Sequence, residues 1–156
     1  MKKYLTIIMF ILTASIVTIN TQAQQATRIA QFNTQNKLAI QGYDAVAYFT
    51  QNKAVHGKKE LAVVAEGITY YFSSIENKEL FKKEYKKYEP QYGGWCAYAM
   101  GASGEKVEID AETFKIVNGK LYLFYHSWVN NTLLKWNKEE ASFKIKADAS
   151  WMKFFK

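Results

Sequence analysis

The side chain richest in chemistry is Cys96, the only cysteine among 156 residues. It follows Gly93-Gly94 and lies in Trp95 to Met100 (WCAYAM), which reads as a short buried helix closed by Gly101. At a helix start, unpaired backbone N–H groups and the helix dipole favour a thiolate. Met100, four residues on, projects from the same helix face. Cys with Met is a soft pair suited to Cu(I), and an imidazole would complete a site. His56 and His126 are the only histidines. His126, beside Tyr122 and Phe124 at a strand end, suits a ligand or a proton carrier, whereas His56 in its Lys-rich turn reads as exposed. The expected metal site is thus Cys96, Met100 and His126. The same spacing also suits a helix face buried in a core, with Cys96 a small hydrophobe and Met100 a gap-filler.

Two further constellations share this stretch. Cys96 with His126 as base, oriented by Asp44 or Asn118, would be the minimal set for a thiol enzyme. No phosphate-cradling loop, GxSxG or paired-His motif accompanies it. Separately, Tyr92, Trp95 and Tyr98 around Gly93 and Gly94 could line a ligand pocket, glycine letting a ligand approach the backbone. The same aromatics would equally build the core of a small domain.

The elements that must position these residues read as α+β. A turn lies near Gly42, and Tyr43 to Phe49 suggests one helical turn capped by Asp44. Strands are predicted over Glu60–Ala65 and Ile68–Phe72 around Glu66-Gly67. Ser73-Ser74-Ile75-Glu76 reads as a capping box opening a helix that Pro90 stops by Glu89. Asn118-Gly119 signals a type I′ hairpin that sets Ile116 opposite Leu121 and Phe114 opposite Leu123. These four and Tyr125 share the expected core face, leaving Tyr122, Phe124 and His126 on the other. Trp128, Val129, Thr132, Leu133 and Trp136 suggest one amphipathic helix; Phe143, Ala147, Trp151 and Phe154 suggest a last one.

The N-terminus reads differently. Lys2 and Lys3, then the apolar run Leu5 to Ile19, then small Thr21 and Ala23 follow the order of a cleavable signal peptide over residues 1–23. Residues 24–37 are polar and aperiodic and read as a loose lead-in to a single domain over 38–156. The expected location is periplasmic or secreted, with no transmembrane segment once the signal is removed. The formal charge is +7, and without Lys2 and Lys3 there are 19 basic against 14 acidic residues. The lysines are scattered or sit on one solvated helix face. With almost no Arg, which base readout favours, the chain is not expected to bind nucleic acid.

Several of these segments together resemble the YHS-domain family, in particular its exported single-domain members. The matching residues are Gly42-Tyr43-Asp44 with Val46 to Phe49, Tyr70-Tyr71-Phe72 with Ser74, Phe81 and Tyr88. Pro90-Gln91-Tyr92-Gly93-Gly94, Cys96-Ala97-Tyr98-Ala99, Asn118 to Leu123 and Ala147-Asp148-Ala149 with Trp151 continue the match. The most specific block is PQYGG-x-CAYA. The resemblance implies a small antiparallel sheet flanked by several short helices. Metal-associated members of the wider family carry a Cys pair at the strand-to-helix junction, and some occur beside copper-transport machinery. Ser73 and Asn77 stand at the matching positions, and the name-giving His has no counterpart before Tyr70. The family's metal site is therefore not carried over. The expectation is an exported, non-catalytic binding protein handling a soft metal such as Cu(I) through Cys96. A structural or interaction domain and a Cys-His thiol enzyme are the alternatives.

Overall fold

A computed structural model describes residues 22–156. The signal-peptide reading falls outside the described residues except at its last two positions. The described residues are α+β, with six α-helices and small sheets. No helix among the described residues is long and apolar enough to cross a membrane.

The stretch expected to be a loose lead-in instead carries a helix, α1, over residues 22–31. Its anchors were hidden by spacing too sparse to form a periodic stripe. Ile29 and Phe32 pack on the core, and Arg28, the only arginine, pairs with Glu89. Strands β1 (Thr34–Gln35) and β2 (Leu38–Ala39) follow. Helix α2 (Ala47–Thr50) comes next, then β3 (Lys58–Ala65) and β4 (Ile68–Phe72). The four strands form one sheet in the order β1-β2-β4-β3. Its pairs are antiparallel except β2 with β4, which run parallel at Leu38 and Thr69. Glu66 and Gly67 both adopt positive φ, the type I′ turn that suits the twist of paired strands.

Asp44 performs the capping role read from the sequence: its Oδ1 accepts from Val46 N at 2.9 Å and Ala47 N at 3.2 Å. Helix α3 (Ile75–Tyr88) starts one residue later than the capping-box reading implies. Ser74 is the N-cap, accepting from Asn77 N at 3.1 Å, because Ser73 is engaged elsewhere.

Helix α4 (Ala97–Ala102) runs on through Gly101 rather than ending at it. A Cβ on Gly101 would stand 2.5 Å from Phe143 O, so this glycine lets α4 lie against α6 (Glu140–Met152). Strands β5 (Asp110–Val117) and β6 (Lys120–Phe124) form the Asn118-Gly119 hairpin, with Ile116 facing Leu121 and Phe114 facing Leu123 as expected.

The other face of β6 departs from expectation. Leu121 and Leu123 enter a large core with Tyr48, Tyr70, Phe72 and Phe81. Tyr122 and Phe124 are equally buried, in a second core with Tyr92, Met100, Trp136 and Ala147. An unbroken apolar run is what a strand buried on both faces requires, so the face expected to lie outside the core is core as well. His126 lies beyond it, in β7 (His126–Ser127), which pairs with β8 (Asn130–Asn131). Trp128 and Val129, expected in a helix, form the tip of that hairpin and are 99% and 95% exposed. The helix, α5 (Thr132–Trp136), begins only after Asn131, whose Oδ1 accepts from Leu133 N at 3.0 Å.

Candidate functional site

The segment Pro90 to Cys96 runs between the two cores. It is fixed from both sides: Pro90 bridges to Leu121 of β6, and the end of α1 clamps the other edge. Asn33 N donates to Gly93 O at 2.9 Å, Asn33 Nδ2 to Gly94 O at 3.2 Å, and Trp95 Nε1 to Gln31 O at 2.7 Å. Tyr92, Gly93 and Gly94 all have positive φ. For Tyr92 this backbone costs about 1–2 kcal/mol, offset in part by its phenol, which donates to Asp148 Oδ1 at 2.9 Å. Burial, with Asp148 beside it, pushes that phenol well above the ordinary tyrosine range, so it remains a donor. Gly93 has a packing reason as well: a Cβ there would meet Trp151 Cη2 at 2.8 Å and Phe32 at 3.0 Å.

Beside this turn lies a groove of about 370 Å³. Phe32 and Trp151, packed edge to face at 5.9 Å, form an aromatic wall. Tyr92, Gly93 and Pro90 line it together with Lys86, Lys120, Glu89 and Asp148. Its carboxylates are engaged. Glu89 is bonded by Arg28 and by Tyr70 O–H at 2.7 Å; burial holds its carboxyl above the ordinary range, and Arg28 and Tyr70 offset only part of that rise. Asp148 carries Tyr92 and, at 3.4 Å, Lys144. Among the described residues Lys86 and Lys120 have no ion-pair partner, so the groove presents net positive charge to an incoming group.

Cys96, three residues past Gly93, is sealed. Its side chain is fully buried in the larger core. Sγ accepts from Tyr125 N at 3.3 Å and lies 3.4 Å from Thr132 Oγ1. Thr132 spends its hydroxyl proton on Tyr125 O at 2.7 Å, so the S–H is the donor to Thr132. The sulfur thus stitches the start of α4 to the start of α5. Met100 belongs to the second core, among the aromatic rings around Trp136. The i,i+4 pair therefore splits between cores, because Cys96 precedes the helix as its N-cap. His126 is half-exposed, its Nδ1 3.2 Å from Asp110 Oδ2. Cys96 and Met100 thus sit in different cores, while His126 meets Asp110 at the surface. Among the described residues no group of three His, Cys, Asp or Glu is placed to hold a metal ion.

The expected pocket residues divide as well. Tyr92 and Gly93 line the groove; Gly94 faces a crevice of about 10 Å³ on the other side. Trp95 is pinned to the end of α1, and Tyr98 packs on Phe143 at 4.9 Å. Sequence reasoning missed Phe32, Lys86, Lys120 and Asp148 because they come from four distant segments. Trp151 was read only as a helix-face residue.

Ser73 and Asn77 converge on Asp44. Its Oδ2 accepts from Ser73 N at 2.8 Å, Ser73 Oγ at 2.6 Å and Asn77 Nδ2 at 2.7 Å. With the two N–H groups on Oδ1, this fully buried carboxylate is saturated by five donors. The arrangement ties α2 to the start of α3 and leaves no open coordination position. Comparison with protein families, with curated proteins and with solved structures finds no match to this chain.

Proposed function

We propose that this chain is an exported, non-catalytic binding protein of the YHS type. Its site is the groove beside Tyr92 and Gly93, and its ligand is a small anion with a flat apolar body. Export is supported by the basic, apolar and small-residue order of residues 1–23, and the family reading by the PQYGG-x-CAYA block. The observation that carries the site is the combination in one groove of an aromatic wall, Phe32 with Trp151, and two cations, Lys86 and Lys120, without an ion-pair partner among the described residues. Its volume falls within the roughly 300–1,000 Å³ usual for small-ligand sites. Scattered lysines and a lone arginine support a small ligand over nucleic acid. Catalysis is not part of the reading, since the one thiol is enclosed and the groove's ionisable groups are engaged in pairs or are lysines.

Anilinonaphthalene sulfonate, a flat anionic fluorophore, tests this directly against its uncharged analogue phenylnaphthylamine. The double variant Lys86→Gln/Lys120→Gln is expected to bind the sulfonate about tenfold more weakly and the neutral analogue unchanged. Equal sulfonate affinity in wild type and variant would refute the assignment.

A further inference from the structure

In the four-stranded sheet, β3 is an edge strand. Such edges expose unpaired N–H and C=O groups, and proteins usually blunt them with lysines, bulges or a cover. The first half of β3 is blunted in this way. It carries Lys58 and Lys59, and its pairing with β4 slips between Lys58 and Val63. The second half, Val63 to Ala65, carries no charge and pairs regularly with β4.

The type I′ turn fixes which groups point outward. In a two-residue hairpin the residues flanking the turn, Ala65 and Ile68, exchange both backbone bonds. Val64, one step along and opposite Thr69, then directs its N–H and C=O away from β4. Val64 is also 65% exposed. A groove of about 330 Å³ lies alongside, walled by Val63, Ala65, Phe81 and Tyr85, with Lys82 at its rim.

The charge along this groove is graded. Lys58 faces Phe72, next to the start of α3, while Ala65 lies at the far end, where Tyr85 O–H reaches Glu66. Helix α3 therefore runs in the same direction as β3. Lys82 stands at the groove's rim beside Val63 to Ala65, and Lys58 and Lys59 lie beyond the groove toward the start of β3. Glu79, which pairs with Lys82 across exposed surface, is a weak competitor. The groove wall is apolar, and the positive charge sits on its rim at Lys82 and past its end at Lys58 and Lys59.

We propose that this face binds an extended protein segment as an added strand. The segment pairs with Val64, places alternate apolar side chains against Val63, Ala65 and Tyr85, and sets acidic residues beside Lys82 and toward Lys58 and Lys59. Backbone pairing supplies affinity and the groove supplies selection, the logic of strand addition at a sheet edge. Antiparallel pairing puts the acidic residues at the C-terminal end of the segment.

A short fluorescein-labelled peptide, alternating valine and threonine and ending in aspartates, tests this by anisotropy. Its counterpart ending in lysines serves as control. Val64→Pro removes an outward N–H at an edge position where proline is tolerated; circular dichroism and thermal melting check that it folds. The acidic peptide is expected to bind, to weaken about tenfold with Val64→Pro or Lys82→Glu, and to outcompete the lysine-ended peptide. Lack of saturation at millimolar peptide, indifference to Val64→Pro in a folded variant, or equal binding of both peptides would each overturn the proposal. Loss of binding in Lys86→Gln/Lys120→Gln would do so too, by placing the peptide in the other groove.

Discussion

Two sites only a few residues apart on one segment have opposite characters. At Tyr92 and Gly93 the chain bends through left-handed backbone and opens on a groove lined by two lysines that have no ion-pair partner among the described residues. At Cys96 it enters a core where the sulfur is enclosed and bonded to Tyr125 and Thr132. The residue type most suggestive of chemistry thus does structural work, and the residues most suggestive of a mere turn border the open surface. The Asp44, Ser73 and Asn77 cluster belongs with Cys96: reactive in composition, saturated in geometry. Reactivity depends on unsatisfied capacity more than on side-chain type.

That contrast can be broken most forcefully at Asp44. Asp44→Ala leaves several buried donors without a partner and is expected to cost roughly 3–5 kcal/mol of stability, read by denaturant melts. A loss below 1 kcal/mol would mean that the carboxylate is not the saturated anchor described here. Gly93→Val comes next. It combines left-handed backbone with contacts below normal packing distance to Trp151 and Phe32, an expected loss of about 3 kcal/mol, and weaker sulfonate binding. Unaltered sulfonate affinity in that variant would separate the turn from the groove.

Cys96→Ala sharpens the sealed side. Losing two hydrogen bonds and a small buried volume is expected to cost about 1.5 kcal/mol. Groove affinity and Cu(I) affinity, measured against a competing chelator, are expected to stay at wild-type values; a large drop in Cu(I) affinity would reinstate the thiol as a ligand. The smallest effect concerns where His126 belongs. Burial raises the Asp110 carboxyl, but Thr113, the Glu112 N–H and His126 outweigh it, and the balance lies below the ordinary value of 3.8. A carboxyl lowered on folding stabilises the fold above its unfolded value, and that contribution is lost as pH falls through the folded one. Wild type is therefore expected to exceed Asp110→Asn in melting temperature near neutrality, the gap closing below pH 3.8. A gap that widens in acid would contradict the pairing.

Much of the fold was legible where local chemistry dictates geometry. Asn118-Gly119 and Glu66-Gly67 set both hairpins and their registers, and Asp44 and Pro90 marked the helix boundaries they control. What was hidden depends on contacts between distant segments. Ile29, Phe32 and Arg28 look like parts of a polar tail until Glu89 and Trp151 are placed beside them. Tyr122 and Phe124 read as an outer face because alternation says nothing about a second core. Trp128 and Val129 fit a helical period, yet Asn131 starts the helix after them. Cys96 and Met100 share a helical spacing, but the cap position turns one of them away. Of the groove, Tyr92 and Gly93 could be read from the glycine pair; its lysines could not.

The most direct test is an amide and indole NMR map of the folded protein as anilinonaphthalene sulfonate is added. Saturable shifts are expected at Tyr92, Gly93 and Lys120 and at the Trp151 indole, with Cys96, Tyr125 and Thr132 unmoved. Shifts centred on Cys96 and its two partners, with the Gly93 turn silent, would contradict the account.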